Sequence, residues 1–176
     1  MADTPNSAST ATLDFQQFFK CIPMECDHDD VFACLAALTG RPLREIRQLA
    51  IDKFGHPPHG PYWLAEESLI TRMCAYYGLV ATVYKEFYEF EGLPDVAILL
   101  IDYDESKEIG RHVVFHRVRS GPGPTQSVTE YIVDPAYWIS PTKQIRRDVR
   151  TARDIQASWF IGIHQMAQIP GKKFQP

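Results

Sequence analysis

The chain has 176 residues, 45% hydrophobic and 23% charged, and its 18 basic and 22 acidic side chains give a net charge of −4. That length and balance suit one globular domain with its own core. They exclude a broad cationic face for nucleic acid or anionic membrane, and leave Arg146-Arg147-Asp148-Val149-Arg150 as the short basic patch.

Cys21, Cys26, Cys34 and Cys74 form no Cys-x-x-Cys pair and no framework spacing, so reduced thiols are expected. No stretch approaches the roughly 20 apolar residues of a membrane span, and the first residues lack the charge and apolar run of a signal peptide. The expected location is cytoplasmic, or outside by a route needing no cleavable signal.

In chain order, residues 1–13 are small and polar and read as a flexible tail. A single domain is expected over 14–168, with a second tail over 169–176. Phe15, Phe18 and Phe19 within Asp14 to Lys20 suggest a short amphipathic turn or strand over the core, before Pro23 sends the chain into a loop. A first helix follows, with Asp27 and Asp29 each placed to cap it, Val31, Cys34, Leu35 and Leu38 on its apolar face, and Gly40 as its stop. Pro42 opens a second helix from Leu43 to about Phe54, and a third runs from about Trp63 to Tyr77. Between them lies the turn-rich loop His56-Pro57-Pro58-His59-Gly60-Pro61, whose histidines read as solvated, with metal or substrate binding as the alternative.

Beyond Gly78 the period becomes extended. Leu79 to Tyr84, Val96 to Asp102, His112 to Val118 and Tyr131 to Asp134 read as strands, Ser120 to Thr125 as a turn, Thr151 to Ala157 as a short helix, and Trp159 to His164 as a last strand. Helices followed by strands predict an α+β domain with the helices packed on an antiparallel sheet.

Three stretches carry a resemblance. The run Asp29-Asp30-Val31-Phe32-Ala33-Cys34-Leu35-Ala36-Ala37-Leu38-Thr39-Gly40 resembles the nucleophile helix, Asp-Cys-x-x-Ala-Cys-Leu-Ala-x-x-x-Gly, of papain-like cysteine peptidases, in particular those that cleave double-glycine leaders during bacteriocin export. Gly110-Arg111-His112-Val113-Val114 is similar to their Gly-x-His-x-Val strand, which carries the general base, and Val133-Asp134-Pro135 to the strand end that orients it. The resemblance covers roughly residues 20 to 165 and implies a bacterial papain-like domain with no cofactor.

Two positions depart from that pattern. Asp30 stands where the resemblance implies the nucleophilic Cys, and Met24, after Pro23, where it implies an oxyanion-binding Gln. A thioether cannot donate a hydrogen bond, and a carboxylate beside a developing oxyanion opposes acyl transfer. The expected product is a pseudo-peptidase: a cleft with His112 and Asp134 in place and an ion pair between Asp30 and His112, serving to bind a peptide or protein partner. The alternative is an active hydrolase, amidase or acyl-transferase using Cys26 with His112 and Asp134. A third reading is a metal site of Cys26, His28, Asp30 and His112, since alternating residues of an extended segment share one side. Cys34, one turn inside the helix, reads as core. The aromatic run from Tyr84 to Phe90 covers a sheet edge or lines a peptide groove, and Trp138 shields the His–Asp pair or joins the core.

Overall fold

The structure, a computed structural model, describes residues 17–58, 66–121, 127–151 and 155–166. Among these are α1 (Asp30–Thr39), α2 (Leu43–Phe54), α3 (Glu67–Tyr76) and seven strands: β1 (Leu79–Ala81), β2 (Lys85–Glu86), β3 (Val96–Asp104), β4 (Ile109–Ser120), β5 (Ser127–Val133), β6 (Ile145–Arg146) and β7 (Ala157–Gln165). The strands form one antiparallel sheet in the order β1-β7-β3-β4-β5-β6, with β2 also paired to β7. The α+β class read from the change of period therefore holds.

The central strands are apolar on both sides. Ile98, Val114 and Ile161 join the cluster that contains Phe32, Leu35, Ile46, Ile70 and Met73 of the three helices. Leu99, Val113, Phe115 and Ile132 face the other way, in a second cluster with Leu93 and Val149. Side chains alternate along a strand, so Val-Ala-Ile-Leu-Leu-Ile in β3 divides between two cores, which is why it shows no polar alternation.

Gly40 and Gly55 follow α1 and α2 with φ of 68° and 70°, the left-handed conformation that suits a residue without Cβ. The third helix starts at Glu67, and its expected first turn from Trp63, like His59, lies outside the described residues. Of the expected strand from Leu79 to Tyr84, β1 takes Leu79–Ala81, residues 82–84 are not strand, and β2 begins beyond it at Lys85. Part of the helix expected over Thr151 to Ala157 also lies outside them, and Ala157 itself opens β7, pairing with Ile101. Residues 17–20 form neither helix nor strand; they make a bend whose Phe18 and Phe19 N–H groups donate to the Tyr131 hydroxyl. Both tails read from the sequence lie outside the described residues. No described helix is long and apolar enough to cross a membrane.

Candidate functional site

The N-terminus of α1 meets β4 at Asp30 and His112. Asp30 is 5% exposed, and its Oδ2 lies 2.6 Å from His112 Nδ1 and 2.5 Å from the His112 backbone nitrogen. Burial alone would raise the Asp30 pKa; the hydrogen bond from the His112 ring, its charge and the backbone N–H outweigh it and hold the carboxyl below its ordinary value. The other ring nitrogen, Nε2, lies 2.6 Å from the Tyr84 hydroxyl. With Nδ1–H donating to the carboxylate, Nε2 accepts the Tyr84 proton when the ring is neutral and donates to the Tyr84 oxygen when it is charged, so both nitrogens are engaged. Burial first, then the negative charges of Asp30 and Glu67, keep that phenol protonated well above its usual range. Tyr84 is fixed in turn by its backbone N–H, which donates to Glu67 Oε2 at 2.6 Å.

Asp134 does not orient His112. It follows β5, and its carboxylate accepts from Arg111 Nη1 and, at 3.1 Å, from the Ala136 N–H. Arg111 also donates to Asp102 at 2.7 Å. Side chains alternate along β4: His112 points to the helical side and meets Asp30, and the neighbouring Arg111 takes the Asp134 carboxylate. The Tyr84 hydroxyl, and not Asp134, thus pairs with the second ring nitrogen of His112. The sequence carried no signal for this role beyond an aromatic run in which Tyr84 is one of several rings.

The loop before α1 is pinned from the other side. Asp29 occupies the N-cap position without a side-chain capping bond. Its fully buried carboxylate instead takes the fork of Arg47 from α2, through Nε at 2.8 Å and through Nη2, and accepts the Glu25 N–H at 3.3 Å. Asp27 does not cap either, and accepts from the Tyr137 hydroxyl at 2.5 Å. A guanidinium offers a charged, two-pronged donor that a capping N–H does not match.

Cys26 is exposed, and Arg47 Nη2 lies 3.8 Å from its Sγ; it makes no hydrogen bond to His112. Cys34 is buried among the core residues, where desolvation drives its pKa well up. The metal set of Cys26, His28, Asp30 and His112 is not assembled: among the described residues no three His, Cys, Asp or Glu side chains are placed to hold an ion. Alternating side chains share a side only in an extended segment, but His28 turns back with φ of 65° and helix begins at Asp30.

Met24, Asp27, His28, Asp30, Arg111 and Trp138 line a cleft of about 350 Å³. Met24 is 4% exposed and anchored by its N–H to the Pro135 carbonyl at 2.8 Å. Trp138, expected over the His–Asp pair or in the core, is 56% exposed at the rim, edge-on to Tyr137. A second hollow of about 410 Å³ beside Glu130, Arg147 and Arg150 lies elsewhere, and its Arg150 is bonded to Glu130 and Glu91. The lining thus includes a carboxylate, Asp30, and a thioether, Met24, which cannot donate a hydrogen bond.

No protein-family model and no curated protein matches the chain. Among solved structures it is similar to a double-glycine motif protease from an AMS/PCAT transporter in complex with the leader peptide, with a TM-score of 0.52 and 16% identity over 84% of this chain and 92% of that one. At that identity the likeness is one of fold: the chain shares its α+β architecture with that protease.

Proposed function

We propose that this domain is a pseudo-peptidase that holds an extended peptide or a partner's peptide segment in its cleft without cleaving it. The observation that carries the reading is the closed set Asp30–His112–Tyr84, at 2.6 Å on each side of the imidazole. Asp30 occupies Nδ1 and the Tyr84 hydroxyl occupies Nε2, so neither ring nitrogen is open to a nucleophile's proton while both bonds hold. Peptide binding is supported by the cleft beside Trp138 and by the fold neighbour, which was solved with a leader peptide.

The test uses a fluorescein-labelled synthetic leader peptide with a Gly-Gly motif. Saturable anisotropy, with the peptide intact by mass spectrometry after long incubation, is expected. Cleavage at the Gly-Gly bond that disappears in His112→Ala sinks the pseudo-peptidase reading, and no binding by this or unrelated peptides sinks the binding half.

A hydrolase using Cys26 is the second reading, favoured by one observation: Cys26 is an exposed thiol, with Arg47 Nη2 3.8 Å from its Sγ. Rapid, selective iodoacetamide labelling of Cys26 that His112→Ala abolishes supports it. Labelling indifferent to His112 removes it.

A further inference from the structure

Among the described residues the Tyr131 hydroxyl meets three polar groups, and their hydrogens favour one arrangement. The N–H groups of Phe18 and Phe19 lie 2.9 and 3.1 Å from it and can only donate. His116 Nδ1 lies 2.8 Å away. A phenol has one proton and two lone pairs, so both lone pairs go to the backbone donors and the proton goes to His116. That bond requires Nδ1 to be unprotonated. An imidazolium would put a third donor against an oxygen with no lone pair left, and one bond to the 17–20 segment must then open.

We propose that His116 and Tyr131 form an acid-released latch: the neutral imidazole lets the phenol hold the 17–20 segment against the sheet, and protonation of His116 lets that segment go. The segment is built to be held at this point. The Phe19 ring is 9% exposed in the core and 4.7 Å from the His116 ring, while Phe18 is 74% exposed and packs edge-on against Phe19. It runs directly into the loop that walls the cleft, where Cys21 Sγ donates to the Asp134 carbonyl and the Met24 N–H to the Pro135 carbonyl. Acidification therefore acts on one wall of the cleft through chain continuity.

The neighbours of His116 do not cancel the effect. Across the sheet β3 sets Val96 opposite it and β5 sets Tyr131. The charged residue within α1 is Asp30, bonded to His112 at the start of β4. Asp95 is the acid that acts on His116, and its carboxylate is shared with Arg117 at 3.8 Å and Arg119 at 3.1 Å. Burial lowers the His116 pKa from its ordinary 6.5, with Asp95 pulling weakly the other way. The released form therefore binds more protons; the latch is fully stable above that value and weakens as pH falls below it.

Amide hydrogen exchange on the full chain, expressed as protection factors that divide out the intrinsic pH dependence, tests the latch. In the wild type the Phe18 and Phe19 amides are expected to lose about tenfold protection between roughly pH 7.5 and pH 5.5, while Ile98 and Val114 keep theirs. His116→Asn, whose side-chain carbonyl replaces Nδ1 as an acceptor that does not titrate, is expected to hold both amides at either pH. Tyr131→Phe, nearly isosteric, is expected to leave them poorly protected at both. Wild-type protection that stays flat while the His116 ring titrates, a His116→Asn variant that loses protection as the wild type does, or a Tyr131→Phe variant that keeps it overturns the proposal.

Discussion

Asp30 carries its charge into a setting that leaves it 5% exposed, and that charge is held by the backbone and ring of one residue, His112. Asp30→Asn keeps the shape and removes the charge. The variant is expected to be about 2–3 kcal/mol less stable at neutral pH, read by urea unfolding. Because the folded carboxyl lies below its ordinary 3.8, this stabilisation is complete above that value and disappears as pH falls through the lower folded one. The gap between wild type and Asp30→Asn should therefore close on acidification from about pH 5 to below pH 3. The meeting of Asp30 with His112 was legible in the sequence, because two short motifs fix which helix end faces which strand. Tyr84 was not, since its reach to His112 depends on where the chain passes between β1 and β2. Nor was the pairing of Asp134 with Arg111, which depends on how β4 and the end of β5 meet in space.

At the scale of elements, two joints set the cleft. The first ties α1 to α2 through Asp29 and Arg47. Asp29 is fully buried, so Arg47→Met leaves a carboxylate with its charge partner gone; a loss of about 3–5 kcal/mol is expected by guanidinium denaturation. Adding Asp29→Asn should recover part of it, which an ordinary surface pair would not do. The second joint is Gly110 in β4. A Cβ there would stand 2.8 Å from Leu100 Cδ1 and 2.9 Å from the Ile101 carbonyl oxygen. The leucine can swing away but the backbone oxygen cannot, so Gly110→Ala is expected to cost roughly 1–3 kcal/mol and to shift amide resonances along β3. The glycine of the Gly-x-His motif is thus required for strand approach, whether or not the histidine does chemistry. Asp27 and Asp29 as caps failed for a related reason: capping propensity is local, while Arg47 and Tyr137 arrive from distant parts of the chain.

Across the whole molecule, the chain's four thiols divide by burial. Burial, with the charge of Asp134 adding to it, lifts Cys21 to about 11; desolvation lifts Cys74 to about 12 and Cys34 well above its ordinary value. Titration of the native protein with a chromogenic disulfide near neutral pH should release one equivalent fast, from Cys26, and the remaining three on denaturation. The α+β class was legible because the periodicity changes once, near Gly78, and burial on both faces explains the unbroken apolar runs beyond it. The division of labour around His112 was hidden because it is decided by three-dimensional neighbours.

The strand order has one further consequence, for how these molecules meet one another. The two margins of the sheet are its shortest members: β1 and β2, of three and two residues, on one side, and β6, of two, on the other. The long apolar strands β3 and β4, of nine and twelve residues, are enclosed between neighbours. On the side of β1 and β2 such a short margin offers few free amide and carbonyl groups to template another chain, and on the other the mostly polar Ser127 to Tyr131 of β5 extend past β6, so the long apolar strands are kept from the boundary where stacking would begin.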